Sequence, residues 1–104
     1  MQALDHIAIA LRTEADKEIW AKLLGRDSFH EEEVPHQGVK VIFFQVGASK
    51  VELLVPLSPE TPVGRFVEKR GPGMHHIAFY VEDLVAERER LKAAGFEPLS
   101  EEPQ

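Results

Sequence analysis

Cysteine is absent from this 104-residue chain, which removes disulfides, thiolate metal sites and a cysteine nucleophile from consideration. The absence suits a reducing compartment without establishing one. Long apolar runs are missing too: none approaches membrane-spanning length. The opening residues Met1-Gln2-Ala3-Leu4-Asp5 lack the basic and apolar regions of a signal peptide. The expectation is a soluble cytoplasmic protein with no membrane partner. Basic excess is also lacking, with 12 Lys and Arg against 18 Asp and Glu and a net charge of −6. The two signs are interspersed, so no nucleic-acid surface is expected. A pocket can still hold a small anion, because local groups decide that. No glycine-rich phosphate loop, serine nucleophile elbow or HExxH motif is found. Gly71-Pro72-Gly73 reads as a turn.

What the chain does contain is an echo. Leu4-Asp5-His6-Ile7-Ala8-Ile9-Ala10-Leu11 returns as Met74-His75-His76-Ile77-Ala78-Phe79-Tyr80-Val81 at an offset of 70. The same offset carries Lys22 onto Lys92, Gly25 onto Gly95 and Glu31-Glu32 onto Glu101-Glu102. Two equivalent strands, each with a histidine third from its start, are what a site on a pseudo-twofold axis needs.

Alternation places His6, Ala8 and Ala10 on one face of the first strand and Ile7, Ile9 and Leu11 on the other. Thr13, with Asp16 three residues on, reads as a variant capping box opening a helix. Ile19, Trp20 and Leu23 form its apolar stripe and Gly25 its stop. Ile7 and Ile9 should lie under that helix, turning the His6 face away from it. Ser28–Val34 reads as a weak acidic strand, Pro35–Gly38 as a turn, and Val39–Val46 as a strand rich in β-branched and aromatic residues. Gly47-Ala48-Ser49 is a hairpin connection to a strand over Lys50–Leu57. There Glu52 and Leu54 share one face, and Val51, Leu53 and Val55 the other. Pro62 starts a short helix running to about Arg70. After the echo strand, Asp83 caps a helix through Ala94, with Glu87-Arg88-Glu89-Arg90 as a solvated face, and Phe96–Leu99 begins a last strand.

The fold class is therefore α+β: paired β-α-β-β-β units in a curved mixed sheet, forming one domain over 1–104. Unit one covers about 4–57, a connecting helix about 62–70, and a partial unit two about 74–104. Shifted by 70, the strands at 39–46 and 49–57 should recur near 109–116 and 119–127. Their absence would leave an open sheet edge and an apolar face. The reading favours a piece of a longer protein over one completed by a partner.

His6, His76 and Glu52 together supply two imidazoles and a carboxylate, a common open-site set for divalent first-row metals. Ala8, Ala10 and Ala78 are small and leave room for a ligand; Ala8 and Ala78 are the pocket candidates. A lone strand histidine is more often a core or surface residue than a ligand, and the repeat equivalence shifts that balance. Glu52 reads equally well as a solvent-facing strand residue. His75 falls on the opposite strand face from His76. His30 and His36 sit in polar or turn-like surroundings.

Asp5–Ala10, Gln37-Gly38-Val39, Val51–Pro59 and Gly73–Ala78 resemble the methylmalonyl-CoA epimerase family of the vicinal oxygen chelate superfamily, which includes glyoxalase I and extradiol dioxygenases. The resemblance covers essentially the whole chain. Its most specific parts are the Glu-Leu-Leu-x-Pro-Leu run from Glu52 and the stretch Lys69–Ala78. It implies a glyoxalase-like fold, a divalent metal such as Co2+ or Mn2+, an acyl-CoA substrate and a homodimer. The implied ligands are His6, Glu52 (Gln in some members) and His76. A fourth, a glutamate, falls near 122 and beyond Gln104.

The implied reaction removes and returns the proton α to a thioester while a metal stabilises the developing enolate. In some members a third-strand carboxylate and the last-strand glutamate transfer the proton. Val41 occupies the third-strand position here, and the glutamate lies outside the chain, so the catalytic pair is not named. As written, the chain should be inactive unless something supplies the rest. Two rivals remain: a glyoxalase-like lyase or isomerase on the same scaffold, and a metal-free small-molecule binding protein.

Overall fold

The computed structural model describes residues 3–95. Strand β1 (Ala3–Ala10) leads through a 3-10 turn (Glu14–Asp16) into helix α1 (Lys17–Leu24). β2 (His30–Val34), β3 (Val39–Val46) and β4 (Ser49–Pro56) follow, then helix α2 (Pro62–Arg70), β5 (Gly73–Tyr80) and helix α3 (Leu84–Ala93). The strand expected from Phe96 lies outside the described residues.

Among the described residues, five strands form one mixed, unclosed sheet in the order β2-β3-β4-β1-β5. β2, β3 and β4 are antiparallel neighbours, whereas β1 runs parallel to β4 with Ala8 opposite Glu52. β1 therefore lies between β4 and β5. This order is what places the Glu52 strand on one side of His6 and the His76 strand on the other.

Residues Asp5–Ala78 form one compact unit, and α3 belongs to a second. Within the first unit the sheet has two apolar faces. On one, Ile9, Leu11, Ile42, Phe44, Leu53 and Val55 pack with Trp20, Ala21 and Leu24 of α1. On the other, Ala8, Ala10, Val39, Val41 and Leu54 pack with Val63 and Val67 of α2. The alternation read from the sequence holds on both strands: Ile9 goes under α1, and Glu52 shares the α2 face with Leu54.

Two features of α1 differ from expectation. Ile19 and Leu23 are 65% and 71% exposed, and the stripe that meets the sheet is Trp20-Ala21-Leu24. With 100° between successive residues, moving the stripe by one position turns the helix by about a quarter turn. The large indole on Trp20 reaches the sheet from that rotation. Thr13 makes no side-chain cap; it precedes the 3-10 turn, and its carbonyl accepts from Asp16 N–H at 3.2 Å. The turn shifts the α-helix start to Lys17, out of reach of the threonine hydroxyl. Gly25 does stop the helix in the left-handed region at φ 69°.

α2 begins as expected at Pro62. Its cap is Thr61, whose hydroxyl oxygen accepts from Gly64 N–H at 3.0 Å, and the same hydroxyl donates to the Ser58 carbonyl at 2.8 Å. α3, by itself, is capped by Asp83, which accepts from Ala86 N–H at 3.0 Å.

Candidate metal and substrate site

Glu52, His6 and His76 come from β4, β1 and β5, consecutive neighbours in the sheet. His6 Nε2 lies 3.1 Å from His76 Nε2, and His6 Nδ1 lies 3.4 Å from a Glu52 oxygen. The three residues read from the sequence as a set are thus in contact through their polar atoms. His6 and Glu52 side chains are 18% and 15% exposed, so both are largely withdrawn from water. His6 Nδ1 is also 2.7 Å from Asp5 Oδ2. The hydrogen bond from His6 holds the Asp5 carboxyl below its ordinary pKa, against the opposing effect of burial. His76 is held below the ordinary histidine value, first by burial, then by the neighbouring His75 and His6. Its neutral ring is the form that offers a lone pair.

A divalent ion bound by two imidazole nitrogens at about 2.0–2.1 Å each holds them roughly 2.9–3.4 Å apart, from right-angle to tetrahedral geometry. The observed Nε2–Nε2 separation of 3.1 Å is within that interval. Glu52 lies at the other nitrogen of His6, and no three donors among the described residues converge on one point. The spacing of the nitrogen pair matches that of two ligands on one divalent cation. The carboxylate needs a side-chain rotation to join it.

Beside this cluster is an open cavity of about 500 Å³. Glu52 and His76 form its polar wall, Val39, Val41, Leu54 and Val63 its apolar one, and His36, Gln37, Pro62 and His75 complete it. Val41, at the position where the resemblance implies a carboxylate in some members, is 7% exposed and part of the packed face. Ala8 and Ala78, the sequence candidates for the pocket, are not in this lining. Ala8 is fully buried in the core cluster that α2 covers; its small side chain admits a helix where room for a ligand was expected.

His75 also departs from the alternation. Its ring stacks edge-on against Phe66 of α2 with centroids 4.8 Å apart, and its Nδ1 lies 2.8 Å from His76 Nδ1. β5 begins three residues after α2 ends, and the Phe66 ring gives the imidazole an aromatic surface to pack on. His36 is exposed as expected, yet it borders the cavity. Gly38 explains why: at φ 66° it turns the chain tightly, and its carbonyl accepts from Leu57 N–H at 2.9 Å. A Cβ there would collide with Thr61 Cγ2 and stand 2.9 Å from Thr61 Cβ. The His36-Gln37 turn is thereby seated against the start of α2.

A mixed sheet whose successive strands β4, β1 and β5 turn Glu, His and His to one face beside an apolar cavity defines a class. A family model for the glyoxalase/bleomycin resistance protein/dioxygenase superfamily matches residues 5–104, and the chain belongs to that superfamily. Among individual proteins, an ethylmalonyl-CoA/methylmalonyl-CoA epimerase of Cereibacter sphaeroides is 42% identical over 94 residues, covering 88% of this chain and 70% of that protein. An uncharacterized protein of Bacillus subtilis is 42% identical over 92 residues, 88% of this chain. The chain spans 66% of the Bacillus protein, slightly under two thirds of its length. A solved methylmalonyl-CoA epimerase in complex with methylmalonyl-CoA and NH4+ superposes with a TM-score of 0.80 at 32% identity, over all of this chain and 77% of that one.

Proposed function

We propose that this protein epimerises methylmalonyl-CoA at the carbon α to the thioester, with His6, Glu52 and His76 holding a divalent cation such as Co2+ or Mn2+. The observation that carries the reading is the pair of imidazole nitrogens 3.1 Å apart at the wall of the cavity that Glu52 and His76 line. The similarity to a solved epimerase carrying methylmalonyl-CoA supports the substrate.

When bound, the cation supplies Lewis-acid stabilisation for the negative charge that develops on the thioester oxygen. The chain's own residues do the rest of the positioning. Asp5 orients the His6 ring through Nδ1. Val39, Val41, Leu54 and Val63 give an apolar surface suited to a 2-methyl group. Val41 offers no group for proton transfer, so that position supplies neither the base nor the acid. A cytoplasmic homodimer is the assembly and setting this family reading carries with it.

The test is loss of the C2 proton of methylmalonyl-CoA to D2O in the Co2+-loaded protein expressed from its complete coding sequence, run beside a hemithioacetal. Exchange and inversion of the thioester with no turnover of the hemithioacetal support the epimerase. Turnover of the hemithioacetal alone overturns it in favour of a glyoxalase-like isomerase. Activity on neither, with no stoichiometric metal, overturns it in favour of a binding protein.

A further inference from the structure

His75 borders the cavity without being one of the three proposed ligands, and it ends a continuous line of polar contacts that runs through His6 and His76. Asp5 Oδ2 meets His6 Nδ1 at 2.7 Å, His6 Nε2 meets His76 Nε2 at 3.1 Å, and His76 Nδ1 meets His75 Nδ1 at 2.8 Å. A carboxylate only accepts, so His6 carries its hydrogen on Nδ1. A neutral His6 then presents a lone pair at Nε2. The 3.1 Å contact requires the hydrogen of His76 on Nε2, which leaves His76 Nδ1 as an acceptor. The 2.8 Å contact in turn requires the hydrogen of His75 on Nδ1. For neutral rings the direction of the whole line is decided at Asp5.

A cation between His6 and His76 needs both Nε2 lone pairs. The hydrogen of His76 must then occupy Nδ1, and it needs an acceptor at His75. We propose that His75 is a positioning residue for the His6–His76 cation site, reversing its tautomer from Nδ1–H to Nε2–H when a divalent cation binds. Each imidazole carries one ring hydrogen before and after, so the exchange takes up and releases no net proton. His75 thereby gives His76 a hydrogen-bond partner in both states. The edge-on contact with Phe66, at 4.8 Å between centroids, holds the ring in place through apolar packing that does not depend on which nitrogen bears the hydrogen. The inference rests on the reading that His6 and His76 bind a cation.

The experiment follows ring-nitrogen tautomers by long-range 1H–15N correlation in the 15N-histidine-labelled protein, with and without diamagnetic Zn2+. Zn2+ affinity is measured in parallel by calorimetry. Without metal, His6 is expected as Nδ1–H, His76 as Nε2–H and His75 as Nδ1–H. With Zn2+, His76 and His75 change to Nδ1–H and Nε2–H while His6 does not change. His75→Phe, which keeps a ring against Phe66 but has no acceptor, is expected to weaken Zn2+ binding about 10–100-fold. His75→Asn, whose amide can turn to donate or accept, is expected to restore most of it. Zn2+ bound at both Nε2 atoms with the His75 tautomer unmoved overturns this inference and leaves the cation site standing. Absence of Zn2+ binding to the wild-type chain overturns both. If His75→Phe does not fold, the wild-type tautomers decide alone: His76 found as Nδ1–H in the metal-free protein contradicts the account.

Discussion

His6 and His76 face each other nitrogen to nitrogen at 3.1 Å, although 70 residues separate them in the chain. The contact arises because β5 takes the place beside β1 opposite to β4. It brings the two repeat-equivalent histidines to one point. Removing either ring should therefore abolish Co2+ binding at this site, and Glu52→Gln should weaken it less. Titration followed by the visible Co2+ spectrum checks the order: loss of both His6→Ala and His76→Ala binding, with a weaker but measurable Glu52→Gln complex.

The two threonines that precede helical segments should behave differently. Thr61 caps α2 through its hydroxyl, so Thr61→Ala is expected to cost about 1 kcal/mol. For a domain of this size that corresponds to a Tm loss of roughly 4–8 °C. Thr13 makes no side-chain cap, so Thr13→Ala should leave Tm within about 1–2 °C, in line with an ordinary surface change. Calorimetric melting of the two variants side by side tests the contrast.

Gly38 combines a left-handed backbone with close approach to Thr61. Gly38→Ala should destabilise by on the order of 1–3 kcal/mol from the backbone alone, with the collision added. Thr61→Ser removes the methyl that a Cβ at 38 would strike. In a double-mutant cycle the pair should be less destabilised than the sum, while the backbone strain persists. Strict additivity in urea unfolding would show that the two residues do not press on each other.

Acid should loosen the contact between α1 and the β2-β3 edge. Lys17 Nζ pairs with Glu31 at 3.0 Å, and Lys40 Nζ with Glu14 at 2.8 Å and Glu31 at 3.1 Å. These partners hold Glu31 and Glu14 below the ordinary glutamate value of 4.5, led by hydrogen bonds from Lys17 and from Lys40 respectively. A carboxylate bound less readily by protons when folded adds stability above its unfolded pKa and loses it as pH falls through the folded one. The contribution is thus complete above about pH 5 and is lost progressively as pH falls from 4.5 through the lower folded value. The groups are partly exposed and the effect is modest. Glu31→Gln should flatten this part of the pH–stability curve in unfolding measured between pH 6 and 3, and leave the neutral-pH fold intact.

The strands were legible because period two is a local property, and with the repeat it also foretold that His6, Glu52 and His76 lie together. Alternation grouped His6 with Ala8 and Ala10, and Glu52 with Leu54, and the constant offset paired His6 with His76; bringing the His6 and Glu52 faces together rested on the pairing of the two units. What alternation does not contain is which helix covers which face. Ala8 looked like open space because alanine is small; α2 fills that space with Val63 and Val67. The tilt of α1 was misread for a related reason. Ile19, Trp20 and Leu23 are all apolar, and the tertiary fit of the indole selects Trp20-Ala21-Leu24. His75 shows the limit from the other side: a through-space partner, Phe66, outweighs the face that strand position assigns to it. The Gly38–Thr61 approach joins two turns 23 residues apart, and no local pattern marks it.

The most direct measurement is an anomalous difference map from crystals soaked in Co2+. The account requires one strong peak bonded to both His6 Nε2 and His76 Nε2, with the Glu52 carboxylate turned from His6 Nδ1 toward it. A site without density at that point, or a cobalt ion held by other residues while the two histidines keep their hydrogen bond, would contradict it.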